Sequence, residues 1–158
     1  MELPSDDPAR VLAHPARVRI WTELGAGDAT ISQLAARLHL NKGSVSHHLR
    51  VLVGGGLVGP GATRTVRGGT EKYFTRTTRR VVVPHERGTG TAAQVMTREM
   101  LRELGSARSP HVHQRSVRLT PAQAEALVAR LDEVLHRLPA ADDRHPLFGV
   151  VTAVYRKG

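Results

Sequence analysis

"LNKGSVSHHLRVL", residues 40–52, is the stretch that decides the fold. Asn41 is a natural N-cap, and the helix it opens places Val45, Leu49 and Leu52 on one face at 100° per residue. Gly43, His47 and Arg50 fall opposite, Ser44 and Ser46 lie on the flanks, and His48 sits at the edge of the apolar face. Adjacent residues on a helix point in different directions, so His47 and His48 do not converge on one metal ion. The stretch also lacks what a nucleophilic serine needs: a strand–turn–helix elbow and an acid to orient a histidine base. What remains is a helix with an apolar back and a short, polar, basic front.

Working outward, "TISQLAARL" (30–38) keeps helical spacing at Ile31, Leu34, Ala35 and Leu38, and only "HLN" (39–41) separates it from the next helix. Two short helices joined by a three-residue turn make a helix-turn-helix. Ahead of it, Asp7-Pro8 reads as a helix start, with a short helix to about Leu12 interrupted before Pro15. A second helix spans about Pro15 to Leu24, its apolar side formed by Val18, Trp21 and Leu24 together with Ile20. Behind it, "GGGLVGPGATRTVRGGTEKYFTRT" (54–77) changes the period. Gly54 to Gly56 stop the helix, Thr63–Arg67 and Thr70–Thr75 alternate as strands, and Gly68-Gly69 supplies a hairpin turn. Of Tyr73 and Phe74, which point to opposite faces, one packs beneath the hairpin. A basic hairpin directly after a helix-turn-helix is a wing.

Charge agrees with that reading. The formal net charge of the 158 residues is +9. Residues 42–80 hold eight basic side chains (Lys42, Arg50, Arg64, Arg67, Lys72, Arg76, Arg79, Arg80) against the single acid Glu71, a local balance of +7. A localised basic stripe is the electrostatic footprint of a polyanion. With no cysteine in the chain there is no disulfide framework, thiolate metal site or cysteine nucleophile. No apolar run approaches the ~20 residues that cross a bilayer. "MELPSDDPAR" (1–10) has no hydrophobic core of a signal peptide, so a cytoplasmic location is expected. The glycine-rich "RGGTE" (67–71) and "GTGT" (88–91) match no phosphate loop, and no enzymatic activity is expected.

"LAHPARVRIWTEL" (12–24), "ISQLAARLHLNKGSVSHHLRVLVGGGLV" (31–58) and "RTVRGGTEKYF" (64–74) resemble, in order and separation, the ArsR-like (arsenical-repressor) family of winged-helix transcriptional regulators. The likeness covers roughly residues 8–80. It implies a cytoplasmic homodimer that binds double-stranded operator DNA, represses, and releases on meeting an effector. By motif position it implies DNA contacts from Lys42, Ser44, Ser46, His47 and Arg50 on the second helix, and from Arg64, Arg67 and Lys72 in the wing. The absence of cysteine departs from the metal-sensing members, so thiolate-type sensing is not expected.

The second half is read from its residues alone. "HERGTGT" (85–91) looks like a flexible join and Ala92 to Leu104 like a helix. "HVHQRSVRL" (111–119) alternates like a strand. Thr120, Pro121 and Gln123 form a capping-box start for a helix with Ala124, Leu127, Leu131, Val134 and Leu138 on one stripe, stopped at Pro139. "LFGVVTAVY" (147–155) reads as a buried closing strand, making a small sheet packed on that helix. His111, His113, Asp132 and His136 are candidate nitrogen and oxygen ligands for zinc or nickel. The expected fold class is α+β, mainly α: a winged helix-turn-helix domain in residues 1–83, then a smaller helix/strand region in 84–158 for dimerisation or a small-molecule effector. Two other readings stand beside the operator-binding repressor, namely a sequence-independent architectural DNA-binding protein and a metal-responsive repressor. No cofactor is expected.

Overall fold

A computed structural model describes residues 8–78, 81, 91–139, 141–142 and 144–157. The elements run α1 (Pro8–Val11), α2 (Pro15–Glu23), β1 (Ala29–Thr30), α3 (Ile31–Leu38), α4 (Lys42–Gly54), β2 (Val58–Val66), β3 (Gly69–Arg76), α5 (Ala92–Ser106) and α6 (Pro121–His136). The chain divides into two compact units, Met1–Pro110 and His111–Gly158. The boundary after residue 83 expected from the sequence falls outside the described residues, as does the Asp7 cap. Of the expected join at 85–91 only Thr91 is described, and its hydroxyl caps α5 by accepting from the Gln94 N–H.

In the first unit α2, α3, α4 and α5 each start where a side chain takes up a backbone N–H. Thr30 and Gln33 form a reciprocal capping box at α3. The Asn41 carboxamide accepts from the Ser44 N–H at 2.7 Å to open α4. At α2 the cap is His14, whose Nδ1 accepts from the Ala16 N–H. Between α3 and α4, His39 takes the left-handed conformation (φ 54°), and the Leu40 N–H donates back to the Ala35 carbonyl. This ends α3 and turns the chain into α4 within three residues.

The apolar faces of these helices meet in one core. Leu12, Ile20, Leu34, Val45, Leu49, Leu52 and Val58 are its fully buried side chains. Ala92 and Val95 of α5 join it. Arg19 of α2 donates to the Leu38 carbonyl at 2.7 Å, holding the end of α3 against α2. Gly55, the C-cap of α4, packs so closely on Val11 that a Cβ there would lie 2.5 Å from Val11 Cγ2. α1 can therefore reach the end of α4 only because residue 55 has no side chain.

The wing is a three-stranded antiparallel sheet in the order β1-β3-β2. It departs from the expected hairpin in two ways. The strands begin earlier, with Val58 opposite Arg76, and the turn is Arg67–Gly68 rather than Gly68-Gly69, because Val66 pairs with Gly69. The register slips by one between Pro60 and Thr63, so two residues of β2 oppose one of β3. Gly68 supplies the positive φ (105°) that the turn needs. β1, two residues long, pairs Ala29 with Phe74 and Thr30 with Tyr73. Phe74 is the wing aromatic that packs against the core.

The second unit overturns part of the expected picture. Thr120 and Gln123 do form the capping box of α6, but no residue of that helix is buried. Neither 111–119 nor 147–155 is a strand, and the closing segment expected to be buried is exposed, with Phe148 at 80%. The small sheet packed on the long helix is absent from the described residues. Alternation registers which side chains share a face, and a face becomes buried only when something covers it.

Candidate nucleic-acid interface

α4 is held by its apolar back, and its front is left open. Val45, Leu49 and Leu52 are buried, whereas Lys42, Gly43, His47 and Arg50 are exposed and Ser44 and Ser46 half-buried. The helical phase deduced from residues 40–52 thus matches the burial of the side chains it placed on the back and front of the helix. At Gly43 a Cβ would meet only its own neighbour Asn41, at 3.4 Å, so bare backbone faces outward near the start of the helix. Such a surface lets a helix approach base edges and phosphates closely in the wide major groove of B-DNA.

The wing adds the second part. Residues 62–70 are all exposed, and Arg64 and Arg67 stand on this stretch, with Lys72 exposed on β3. Lys42, Arg50, Arg64, Arg67 and Lys72 make no ion pair or side-chain hydrogen bond among the described residues. Five cations thus stand uncompensated on the two elements that follow the turn. Glu71, the one acid of this stretch, accepts from the Tyr73 hydroxyl at 3.2 Å.

Arg76 does not belong with these five, although its charge helped to define the stripe. Its guanidinium lies over the Trp21 ring, 3.3 Å from the centroid, and its Nε donates to the Thr78 carbonyl. Burial pushes it down to about 10. It fastens the base of the wing to α2. Arg79 and Arg80 lie outside the described residues.

One cluster was not legible in the sequence. The His14 and His48 rings lie 4.5 Å apart between centroids, and the His47 ring is 5.2 Å from His48. His48 is nearly buried, and its Nδ1 is sealed from solvent with no hydrogen-bond partner among the described residues. Burial first, then the charges of His14, His47 and Arg17, hold His48 below the ordinary imidazole value. Burial, Arg17 and His47 do the same to His14. Thirty-four residues separate the two rings, so no local spacing could have signalled the pair.

The four candidate metal ligands fare differently. The His111 and His113 rings are 6.3 Å apart, but no group of three or more His, Asp or Glu side chains among the described residues is arranged to hold a metal ion. His111, His113, Asp132 and His136 are not assembled into a site.

Among the described residues, no helix is long and apolar enough to cross a membrane. A search of curated proteins finds no match to the chain. A family model described as a helix-turn-helix domain matches residues 12–58, from the residue just after α1 to the first residue of β2. The chain carries a helix-turn-helix domain, the kind found in DNA-binding transcription regulators, with the β2–β3 hairpin of the wing following it.

Proposed function

We propose that this protein is a sequence-specific transcriptional regulator of the ArsR-like kind, a cytoplasmic repressor that binds a palindromic operator as a homodimer. The observation that carries the reading is the set of five uncompensated cations on α4 and the wing, beside an α4 face built of small and polar side chains. Ser44, Ser46, His47 and Arg50 meet base edges in the major groove, and Lys42 meets a phosphate at its rim. Arg64, Arg67 and Lys72 reach the backbone or the minor groove from the wing.

The homodimer is supported by what the second unit leaves uncovered. Thirteen large apolar side chains between Val112 and Tyr155 are exposed. A standard interface buries about 800 Å² per partner, a scale this surface can supply. With one recognition helix per protomer, two-fold pairing sets half-site centres about 34 Å apart, or a multiple of that.

The test is a calorimetric titration of the DNA upstream of the protein's own gene beside a scrambled duplex, at low and near-physiological salt. A preference of about 10³ or more for the native duplex is expected. Equal, steeply salt-sensitive binding to both would assign an architectural role instead, and no binding to either would sink the reading.

A further inference from the structure

We propose that His14, Arg17, His47 and His48 together form a docking point for one backbone phosphate of DNA, and that filling it draws a proton onto the histidine pair. This rests on the DNA-binding reading above and deepens it: α4 presents its front to the groove, while the cluster beside it takes the flanking strand.

The geometry supplies the site. α2 begins at Pro15 with His14 as its cap, and α2 packs against α4 so that its N-terminal end meets the middle of the recognition helix. His14 and His47 are exposed, Arg17 is half-buried and His48 is nearly buried. The four therefore run from the surface inward, with cationic or protonatable groups at every step. The N-terminal end of a nine-residue helix adds its own partial positive charge. A second, independent sign is the His48 ring itself, sealed at Nδ1 without a partner. A buried polar atom left unpaired is costly, and a ring in that state responds to any charge brought beside it. Nδ1 itself is out of a ligand's reach, so a phosphate held at the exposed His14 and His47 would stabilise a His48 imidazolium through its charge.

The chemistry distributes the roles. His14 Nδ1 accepts from the Ala16 N–H, so its single proton sits on Nε2, available to donate outward. Protonating Nδ1 would break the cap, which leaves His48 as the ring that takes up the proton. Among the described residues nothing at the pair favours that proton. From α2 the charged groups at the pair are His14 and Arg17, and from α4 they are His47 and His48. The interactions that shift the two rings include no carboxylate from α3, α5 or β2. Among the described residues no carboxylate acts on the two rings, so an incoming phosphate brings the cluster a negative charge and proton uptake accompanies binding.

The experiment is calorimetric titration of the full chain with a random-sequence duplex at low, fixed ionic strength from pH 6 to pH 8. Two buffers of different ionisation enthalpy count the protons. The wild type is expected to take up on average about half a proton across this range and to bind about tenfold more weakly at pH 8 than at pH 6, since each proton taken up changes affinity tenfold per pH unit. His48→Gln should flatten that dependence. His14→Asn, which keeps a capping oxygen, should weaken binding at both ends. Histidine Cε1–H resonances followed with and without duplex keep the idea testable should either variant fold poorly. An upward displacement of the His48 titration on adding duplex supports the site. Inorganic phosphate alone moving the same resonance supports it as a phosphate site that DNA fills. Binding that is independent of pH, with His48 unmoved by duplex, overturns the docking point and leaves the DNA-binding reading standing. No binding at any pH overturns both.

Discussion

α3 and α6 open with the same device: a threonine cap, a glutamine three residues on, and both reciprocal hydrogen bonds formed. Beyond it they diverge. α3 buries Leu34, Ala35 and Leu38, whereas α6 buries nothing although its apolar stripe is longer. Caps and propensity thus set where a helix begins and stay silent on whether its face is covered. Coverage comes from tertiary partners, which supply most helix stability in proteins. The first unit finds them in its own chain, and the second is left offering Leu127, Val134 and Leu138 to solvent.

The sharpest break of this comparison is a pair of truncations. Leu49→Ala, in the core behind the recognition face, is expected to cost 2–5 kcal/mol in urea denaturation. Leu127→Ala should cost the protomer under about 0.5 kcal/mol and instead weaken self-association in sedimentation equilibrium. A comparable loss of protomer stability at Leu127 would mean α6 is buried within its own chain.

The caps come next. Thr30→Ala should destabilise the protein by about 1 kcal/mol, while Thr120→Ala should leave the stability of the first unit unchanged. Equal effects would join the two units into one cooperative structure.

Two arginines of the basic stretch then separate fastening from binding. Arg76→Ala is expected to cost about 1 kcal/mol through the lost Trp21 contact, with the salt dependence of DNA binding unaltered. Arg50→Ala should leave stability alone and lower the preference for operator over random DNA by about 1–3 kcal/mol, whereas equal loss on both would assign Arg50 to the backbone.

The smallest effect is that of pH on the free first unit. His14 and His48 are both held low, so the unfolded chain binds protons that the folded one refuses. Stability therefore rises with pH through the window just below about 6.5 and is lost as pH falls across it. Scanning calorimetry from pH 7 to pH 5 should show a falling melting temperature, less steep in His48→Gln. A rising one would reverse the assignment.

The first unit was legible because its information is local. The period of "SVSHHLRVL", the Asn41 cap and the three-residue turn all lie within a few residues of what they specify. The hairpin was legible, but its turn falls one residue earlier and its strands reach back to Val58, as the Val66–Gly69 and Val58–Arg76 pairings decide. β1 was missed because Ala29 and Thr30 are too few to carry a period. Arg76 counts toward the basic stripe because its charge is visible in the sequence, whereas its stacking on Trp21, fifty-five residues away, is not. The segments at 111–119 and 147–155 alternate without forming a sheet. A period describes a face and carries no information about its partner.

Trp21, over which Arg76 is stacked, is the only tryptophan in the chain. The intrinsic fluorescence of this protein is thus dominated by one ring at the seat of the wing, where a cation close above the indole makes emission sensitive to any loosening of β3 from α2. The second unit is nearly silent to that probe. Far-ultraviolet dichroism, by contrast, counts α6 with every other helix. The gap between a melting curve read by emission and one read by dichroism becomes a direct gauge of how independently the two units unfold, since coincident curves are the mark of a single cooperative transition.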